Sequence, residues 1–112
     1  MFQETIDILR PQAEVTNAIV YSIRQSTRYN VVSIQPQHII CESCMTFFDY
    51  GCLFDIFIYP ISPNQTRLVV QGRLNYGFDM FNFVKKRWRD MLELVLFSLN
   101  LNNNQIIYYG SY

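Results

Sequence analysis

Residues 51–76 read GCLFDIFIYPISPNQTRLVVQGRLNY and decide the fold. Apolar and polar side chains alternate over residues 52–59, and successive side chains of an extended strand point to opposite faces. A second alternating run covers residues 66–76. The prolines and asparagine of residues 60–65 predict a loop between the two runs. Two strands joined by a short connection predict antiparallel pairing, with the more apolar face against a core.

The alternation assigns each side chain of these two strands to a face. The face predicted to be buried carries Cys52, Phe54, Ile56, Ile58, Leu68, Val70, Gly72 and Leu74. The opposite face carries Leu53, Asp55, Phe57, Tyr59, Arg67, Val69, Gln71 and Arg73. Gly72 lies on the apolar face, where it favours either close helix packing or space for a ligand.

The remaining segments add strand and helix patterns around this pair. Strands are predicted over residues 2–9, 29–34 and 38–48, the last bent or divided in two. Helical spacing covers residues 12–26, with Val15, Ala18, Ile19, Ser22 and Ile23 on one side. It returns over residues 81–100, where Asp79 is a candidate cap. The apolar stripe of this second helix carries Phe81, Val84, Trp88, Met91, Leu92, Val95 and Leu99.

The order β-α-β-β-β-β-α predicts an α+β fold, an antiparallel β-sheet packed against a long C-terminal helix. Residues 1–101 form a single domain in this interpretation. Residues 102–112 add a polar break and a tyrosine-rich tail. The tail pairs with a sheet edge, in its own molecule or in a partner, or it is a frayed terminus.

Two segments resemble the helix-grip superfamily, the START-like and polyketide-cyclase-like proteins, in a short version. One is the N-terminal strand Glu4-Thr5-Ile6-Asp7-Ile8-Leu9, which runs through Pro11 into a helix with Val15 as its first buried position. The other is the strand–loop–strand run of residues 51–76, which leads into the helix of residues 81–99. The resemblance implies a curved antiparallel sheet that grips the C-terminal helix. Ligand-binding members of that superfamily use the same architecture.

Composition excludes several classes of protein. Half of the 112 residues are hydrophobic, so the chain is too apolar for a disordered segment. Nine basic and nine acidic residues give zero net charge, so nucleic acid is not expected as a partner. The apolar run of residues 91–101 is well short of the ~20 residues of a membrane span. Three cysteines and no visible secretory signal predict a cytoplasmic protein without disulfides.

The cysteines and the single histidine are the candidates for chemistry. Cys41 and Cys44 are spaced as in zinc or redox pairs, and with Cys52 and His38 they would complete four zinc ligands. Residues three apart on a strand point to opposite faces, so the favoured interpretation is buried apolar cysteines with no metal. His38 has no identifiable catalytic partner in the sequence. No cofactor is predicted, and the chain is not expected to be an enzyme.

Charged residues favour structural roles. Asp55 is expected to meet Arg73 or Gln71 across the strands, or else to anchor a ligand in a pocket. Lys86–Asp90 and Arg89–Glu93 are spaced for ion pairs along the last helix. The basic run Lys85, Lys86, Arg87 and Arg89 is therefore interpreted as a solvated helix face, with anion recognition as the alternative.

The predicted function is a non-catalytic domain that binds an apolar small molecule between the sheet and the C-terminal helix. The surplus of Phe and Tyr motivates this hypothesis. The candidate ligand-binding residues are Phe54, Ile56, Val70, Trp88, Met91 and Val95. The alternative is a protein-protein interaction module or homodimer that uses the tail and the outer sheet face, with Leu53, Phe57, Tyr59 and Val69 exposed.

Overall fold

The computed structural model describes residues 2–43, 51–74, 83–101 and 103–111. Six strands and two α-helices occupy these residues. Their bounds are β1 (Phe2–Ile8), α1 (Gln12–Gln25), β2 (Tyr29–Gln35), β3 (His38–Ser43), β4 (Cys52–Ser62), β5 (Gln65–Leu74), α2 (Phe83–Leu99) and β6 (Ile106–Ser111), with a 3-10 turn (Asn103–Gln105) before β6. The α+β class is confirmed. Residues 44–50 and 75–82, which include Asp79, Phe81 and the second part of the predicted strand 38–48, lie outside the described residues.

The strands form an antiparallel sheet in the order β2-β3-β4-β5-β1-β6. After β1, helix α1 carries the chain across the sheet to the far edge, where β2 begins. Strands β2 to β5 then return toward β1, each pairing with the next. Strand β6 pairs with the free side of β1 and completes the sheet. Of the alternatives predicted for the tail, the structure shows pairing with a sheet edge of its own molecule.

The connection between β4 and β5 is tighter than predicted. Strand β4 continues to Ser62, which pairs with Gln65, so the predicted loop over residues 60–65 is wrong in length. The register shifts between Pro60 and Ser62. A proline has no N–H to donate to a ladder, and strands accommodate it at such irregularities. Pro63 and Asn64 alone form the turn.

Both helices cover the same face of the sheet, which we call the inner face. The buried residues of α1 are Val15, Ala18, Ile19, Ser22 and Ile23, as the helical spacing predicts. The buried residues of α2 are Val84, Trp88, Met91, Leu92, Val95 and Leu99. They pack on the inner residues of the sheet, namely Ile6, Ile8, Ile39, Cys41, Cys52, Phe54, Ile56, Ile58, Leu68 and Val70. For β4 and β5 these are the residues that the alternation predicts.

Helix α2 lies close to β5 at Gly72. A Cβ atom on this residue would come within 2.6 Å of Val84 Cγ1 and 2.9 Å of the Phe54 ring. Side chains of the core therefore fill the space beside the glycine. Of the two roles that the sequence leaves open for Gly72, the structure supports close packing.

The C-terminal end of α2 is fixed by two backbone hydrogen bonds. Asn100 N–H donates to Phe97 O, and Leu101 N–H donates to Leu96 O. Asn100 has a φ of 55°, a left-handed conformation that asparagine tolerates better than most residues. This pattern is the Schellman motif, which turns the chain away from the helix axis toward β6.

Neither helix in the described part of the chain has the length and apolar character that a membrane span requires.

Candidate functional site

The face of the sheet opposite the helices, which we call the outer face, carries a group of apolar side chains. Alternation along β4 directs Leu53, Phe57 and Tyr59 to this face, and neighbouring strands add Ile40 and Val69. Val69 lies directly opposite Phe57, and Ile40 lies opposite Asp55. Tyr59 is 43% exposed and the other four are half-buried. We call these five residues the outer patch.

A histidine–aspartate pair lies within the outer patch. The distance between His38 Nε2 and Asp55 Oδ1 is 2.8 Å. The His38 ring stacks on Phe57, with centroids 4.3 Å apart and ring planes 9° from parallel. The pairing register explains the arrangement, because His38 lies opposite Phe57 and two residue pairs away from Asp55, so both side chains point to the same face.

This pair corrects the predicted partners of Asp55. Gln71 is the cross-strand neighbour of Asp55, but the carboxylate contacts His38 instead of Arg73 or Gln71. His38 therefore has the partner that the sequence did not identify. The hydrogen bond to the carboxylate orients the imidazole ring.

A groove of about 760 Å³ opens beside His38. It is lined by residues from the first part of α1, the β2–β3 turn and the middle of β4. Its lining residues are Gln12, Ala13, Thr16, Asn17, Gln35, Pro36, Gln37, His38, Phe57 and Tyr59. The lining combines polar glutamine, threonine and asparagine side chains with the apolar surface of Ala13, Pro36, Phe57 and Tyr59, so the groove offers both polar and apolar contacts.

The cysteines do not share this surface. Cys41 and Cys52 form no disulfide and are fully buried on the inner face, whereas His38 points to the outer face. Burial, with Asp55 and Glu42 nearby, raises the pKa of Cys41 to about 12, so its thiol stays protonated at neutral pH. Cys41 Sγ lies 3.7 Å from Met91 Sδ. Cys44 lies outside the described residues, and within them no three His, Cys, Asp or Glu side chains cluster as metal ligands.

The six residues predicted to bind an apolar ligand are all in the core. Phe54, Ile56, Val70, Trp88, Met91 and Val95 are each at most 1% exposed. The Phe54 and Trp88 rings contact each other at an angle, with centroids 6.4 Å apart. The side chains lie together between sheet and α2, as predicted, and they pack on one another. A ligand would have to separate them, and its binding stays a prediction.

The sequence did not predict that Asp7 is buried within a polar network. Asp7 is fully buried and lies on the outer side of β1. It accepts hydrogen bonds from Gln65 Nε2 at 2.6 Å, Arg67 Nε at 2.9 Å and Tyr109 Oη at 2.9 Å. Burial by itself would raise the pKa of Asp7, but the bonds from Arg67, Gln65 and Tyr109 hold it below its ordinary value. The guanidinium of Arg67 also lies over the Tyr109 ring, 5.0 Å from its centroid.

Glu4 forms a second buried network on the inner face of the same strand. Its carboxylate accepts a hydrogen bond from Trp88 Nε1 and forms an ion pair with Arg89. Arg89 also lies over the Tyr108 ring. The predicted Arg89–Glu93 helix pair is therefore wrong, because the guanidinium reaches across to β1. The sequence signal for both networks was two carboxylates within an otherwise apolar strand.

Comparison with known proteins gives no family. No family model matches the chain, and no curated protein does. A crystal structure described as a conserved protein from Geobacillus kaustophilus is similar, with 10% sequence identity and a TM-score of 0.48. The similarity covers 89% of this chain and 90% of the other. A likeness at this level supports no conclusion about function.

Proposed function

We propose that this chain is a non-catalytic interaction domain that binds a partner protein through the outer face of its sheet. The observation that carries the proposal is the outer patch. Both helices pack on the inner face, and no element within the described residues covers the patch. Strand β6 extends the same face with Ile107 and Tyr109, which are 39% and 53% exposed.

The charges of the outer face support docking by a protein. Asp55 is paired with His38, and Asp7 with Arg67. A charge that already has a partner loses less on removal from water than an isolated charge does. Asp55 and Asp7 can therefore be covered at low cost, whereas Glu42 and Arg73, which flank Leu53 on the same face, would need partners in the bound protein. Contiguous apolar patches with polar rims are typical of protein interaction sites.

Site-specific crosslinking in the native host tests the proposal. A photo-crosslinking amino acid at Gln71, which lies on the outer face beside Val69, is expected to give an adduct of one defined mass. Val69→Glu in the same chain should abolish the adduct, because it places a charge inside the outer patch. Tyr21→Glu, a matched charge on the exposed side of α1, should leave it unchanged.

Two results would contradict the proposal. One is the absence of any adduct from the Gln71 position in the native host. The other is an adduct that Val69→Glu and Tyr21→Glu affect equally. Thermal unfolding of each variant, compared with the unsubstituted chain, shows whether the fold is retained.

An apolar ligand in the core remains a separate proposal. Its support is the set of six aromatic and aliphatic residues between sheet and α2. Native mass spectrometry of protein purified without added ligand tests it, because a retained ligand would appear as excess mass. A bare mass, together with no shift in melting temperature on adding mixed lipids, would count against it.

We also propose the helix-grip architecture for this fold. The order of β1, α1, β2 to β5 and α2 and the antiparallel sheet support it. Two features of this chain differ from the predicted arrangement, in which a sheet grips a long C-terminal helix. Helix α2 has 17 residues against 14 in α1, and strand β6 follows it to complete the sheet. An experimental structure with a curved sheet around α2 would support the assignment, and a flat sheet would not.

A further inference from the structure

The helical layer carries exposed apolar side chains on the side away from the sheet. Phe97 of α2 is 87% exposed, Tyr21 of α1 is 59% exposed and Leu94 of α2 is 42% exposed. All three line one groove of about 980 Å³ that runs between the two helices. Asp90 and Glu93 line the same groove, and Arg28 lies among its lining residues. This surface is separate from the outer patch.

The solvent side of α2 has its own periodic stripe. Lys86, Asp90, Glu93 and Phe97 follow one another at intervals of four, three and four residues. At 3.6 residues per turn these positions fall within about 60° of one another around the helix. Such spacing is typical of a helix that packs along a second helix. The core stripe of α2 lies on the opposite side and is already buried against the sheet.

The charges along this stripe change sign along the helix. Lys85 and Lys86, which are exposed, lie near the start of α2, Asp90 lies next to its midpoint, and Glu93 lies in its second half. Arg89 binds Glu4 instead of Glu93. Among the residues that the structure describes, neither Asp90 nor Glu93 takes part in an ion pair. The groove therefore presents two unpaired carboxylates beside its apolar wall.

We propose that a second copy of this chain docks in the groove, with the α2 helices of the two copies antiparallel. A two-fold axis between Arg89 and Asp90 places Lys86 of each copy opposite Glu93 of the other. The basic start of each helix then lies along the acidic part of its mate. Each Phe97 reaches within about one helical turn of Lys86 in the other copy, where an ammonium group over an aromatic ring is favourable.

The symmetry of the arrangement explains why a second copy is favoured over a foreign helix. A closed two-fold interface needs a surface that complements itself, so that residue i meets residue j and residue j meets residue i. Reversing α2 about this axis brings Lys86 of each copy opposite Glu93 of the other, which satisfies this condition. The two Asp90 carboxylates then lie beside each other at the axis, and their repulsion is part of the cost of the interface. The same stripe also covers Leu94 and Tyr21, which the single chain leaves in water.

Sedimentation velocity of the full chain, from micromolar to millimolar concentration, tests the inference. The unsubstituted chain should dimerise, and added salt should weaken the dimer because exposed charges are screened. Lys86→Glu and Glu93→Lys should each weaken the dimer at least about tenfold, the scale measured for close charge pairs across interfaces. Both side chains are exposed, so the fold should be retained.

The combined variant Lys86→Glu with Glu93→Lys tests whether these two residues contact each other across the interface. Exchanging the two charges restores both opposite-charge contacts, so dimerisation should return toward that of the unsubstituted chain. Val69→Glu on the outer face should leave the dimer unchanged, which separates this interface from the proposed partner-binding surface. A chain that is monomeric throughout, or a combined variant that dimerises no better than either single variant, would overturn the inference.

Discussion

At the scale of single residues, β1 carries two buried carboxylates on opposite faces, Glu4 and Asp7. Glu4 faces inward and holds Trp88 and Arg89 of α2. Asp7 faces outward and holds side chains of β5 and β6. Burying a charge without a partner costs much free energy, so these contacts are needed to offset the desolvation of the two carboxylates. The first strand is thus tied to elements that lie more than 50 residues later in the chain.

Replacing Asp7 with asparagine should destabilise the protein by about 3 kcal/mol, because it removes the charge that neutralises Arg67 and orients three donors. Urea unfolding at neutral pH measures the change as a lower midpoint at an unchanged slope. Tyr109→Phe is the matched control, since it removes one hydrogen bond and should cost about 1 kcal/mol. Equal effects of the two substitutions would show that the charge of Asp7 contributes little.

Because the pKa of Asp7 is lowered in the folded protein, the difference in stability between the unsubstituted chain and Asp7→Asn should depend on pH. The folded protein holds the Asp7 proton more weakly than the unfolded chain, where the pKa is about 3.9. The stabilisation is therefore complete above about pH 5 and is lost as the pH falls through the lower folded pKa. The gap between the urea midpoints of the unsubstituted chain and Asp7→Asn should begin to narrow below about pH 4. A gap that stays constant down to pH 2 would contradict this assignment.

At the scale of the elements, periodicity identifies buried faces well and long-range polar contacts poorly. The helical spacing predicted all five buried residues of α1, from Val15 to Ile23. It succeeded because burial of an apolar stripe is decided by positions within the helix itself. The Arg89–Glu93 pair failed because the competing partner, Glu4, comes from a strand 85 residues earlier. Spacing along one helix contains no information about that strand.

Gly72→Ala tests how closely α2 lies on β5. Gly72 is not in a left-handed conformation, so the added methyl group acts by crowding alone. It would meet Val84 and Phe54, and overpacking of this kind costs about 1–3 kcal/mol. The penalty should be smaller in a Val84→Ala background, where the nearest atom is gone. A double-mutant cycle by urea unfolding measures it, and an equal penalty in both backgrounds would place the strain elsewhere.

At the scale of the whole molecule, the sequence predicted which side chains share a face of the sheet. It did not predict which side chains of other strands they contact. Alternation placed Leu53, Phe57, Tyr59 and Val69 together, and the sheet brings them to the outer face. The His38–Asp55 contact depends on the register of β3 against β4. A shift of one residue would turn His38 to the other face. The hydrophobic pattern restricts that register, but it does not identify the polar partner.

The last strand shows how far the fold depends on its C-terminal end. Ending the chain at Gln105 would remove β6, uncover the hydrogen-bonding edge of β1 and take Tyr109 from Asp7. We expect a lower urea midpoint than that of Tyr109→Phe, which keeps the strand. An open strand edge pairs readily with other chains, so light scattering should also rise with protein concentration. Hydrogen exchange should locate the change at the amides of β1. If the shortened chain matched Tyr109→Phe in stability and exchange, β6 would contribute only its tyrosine contact, and the sheet would be complete with five strands.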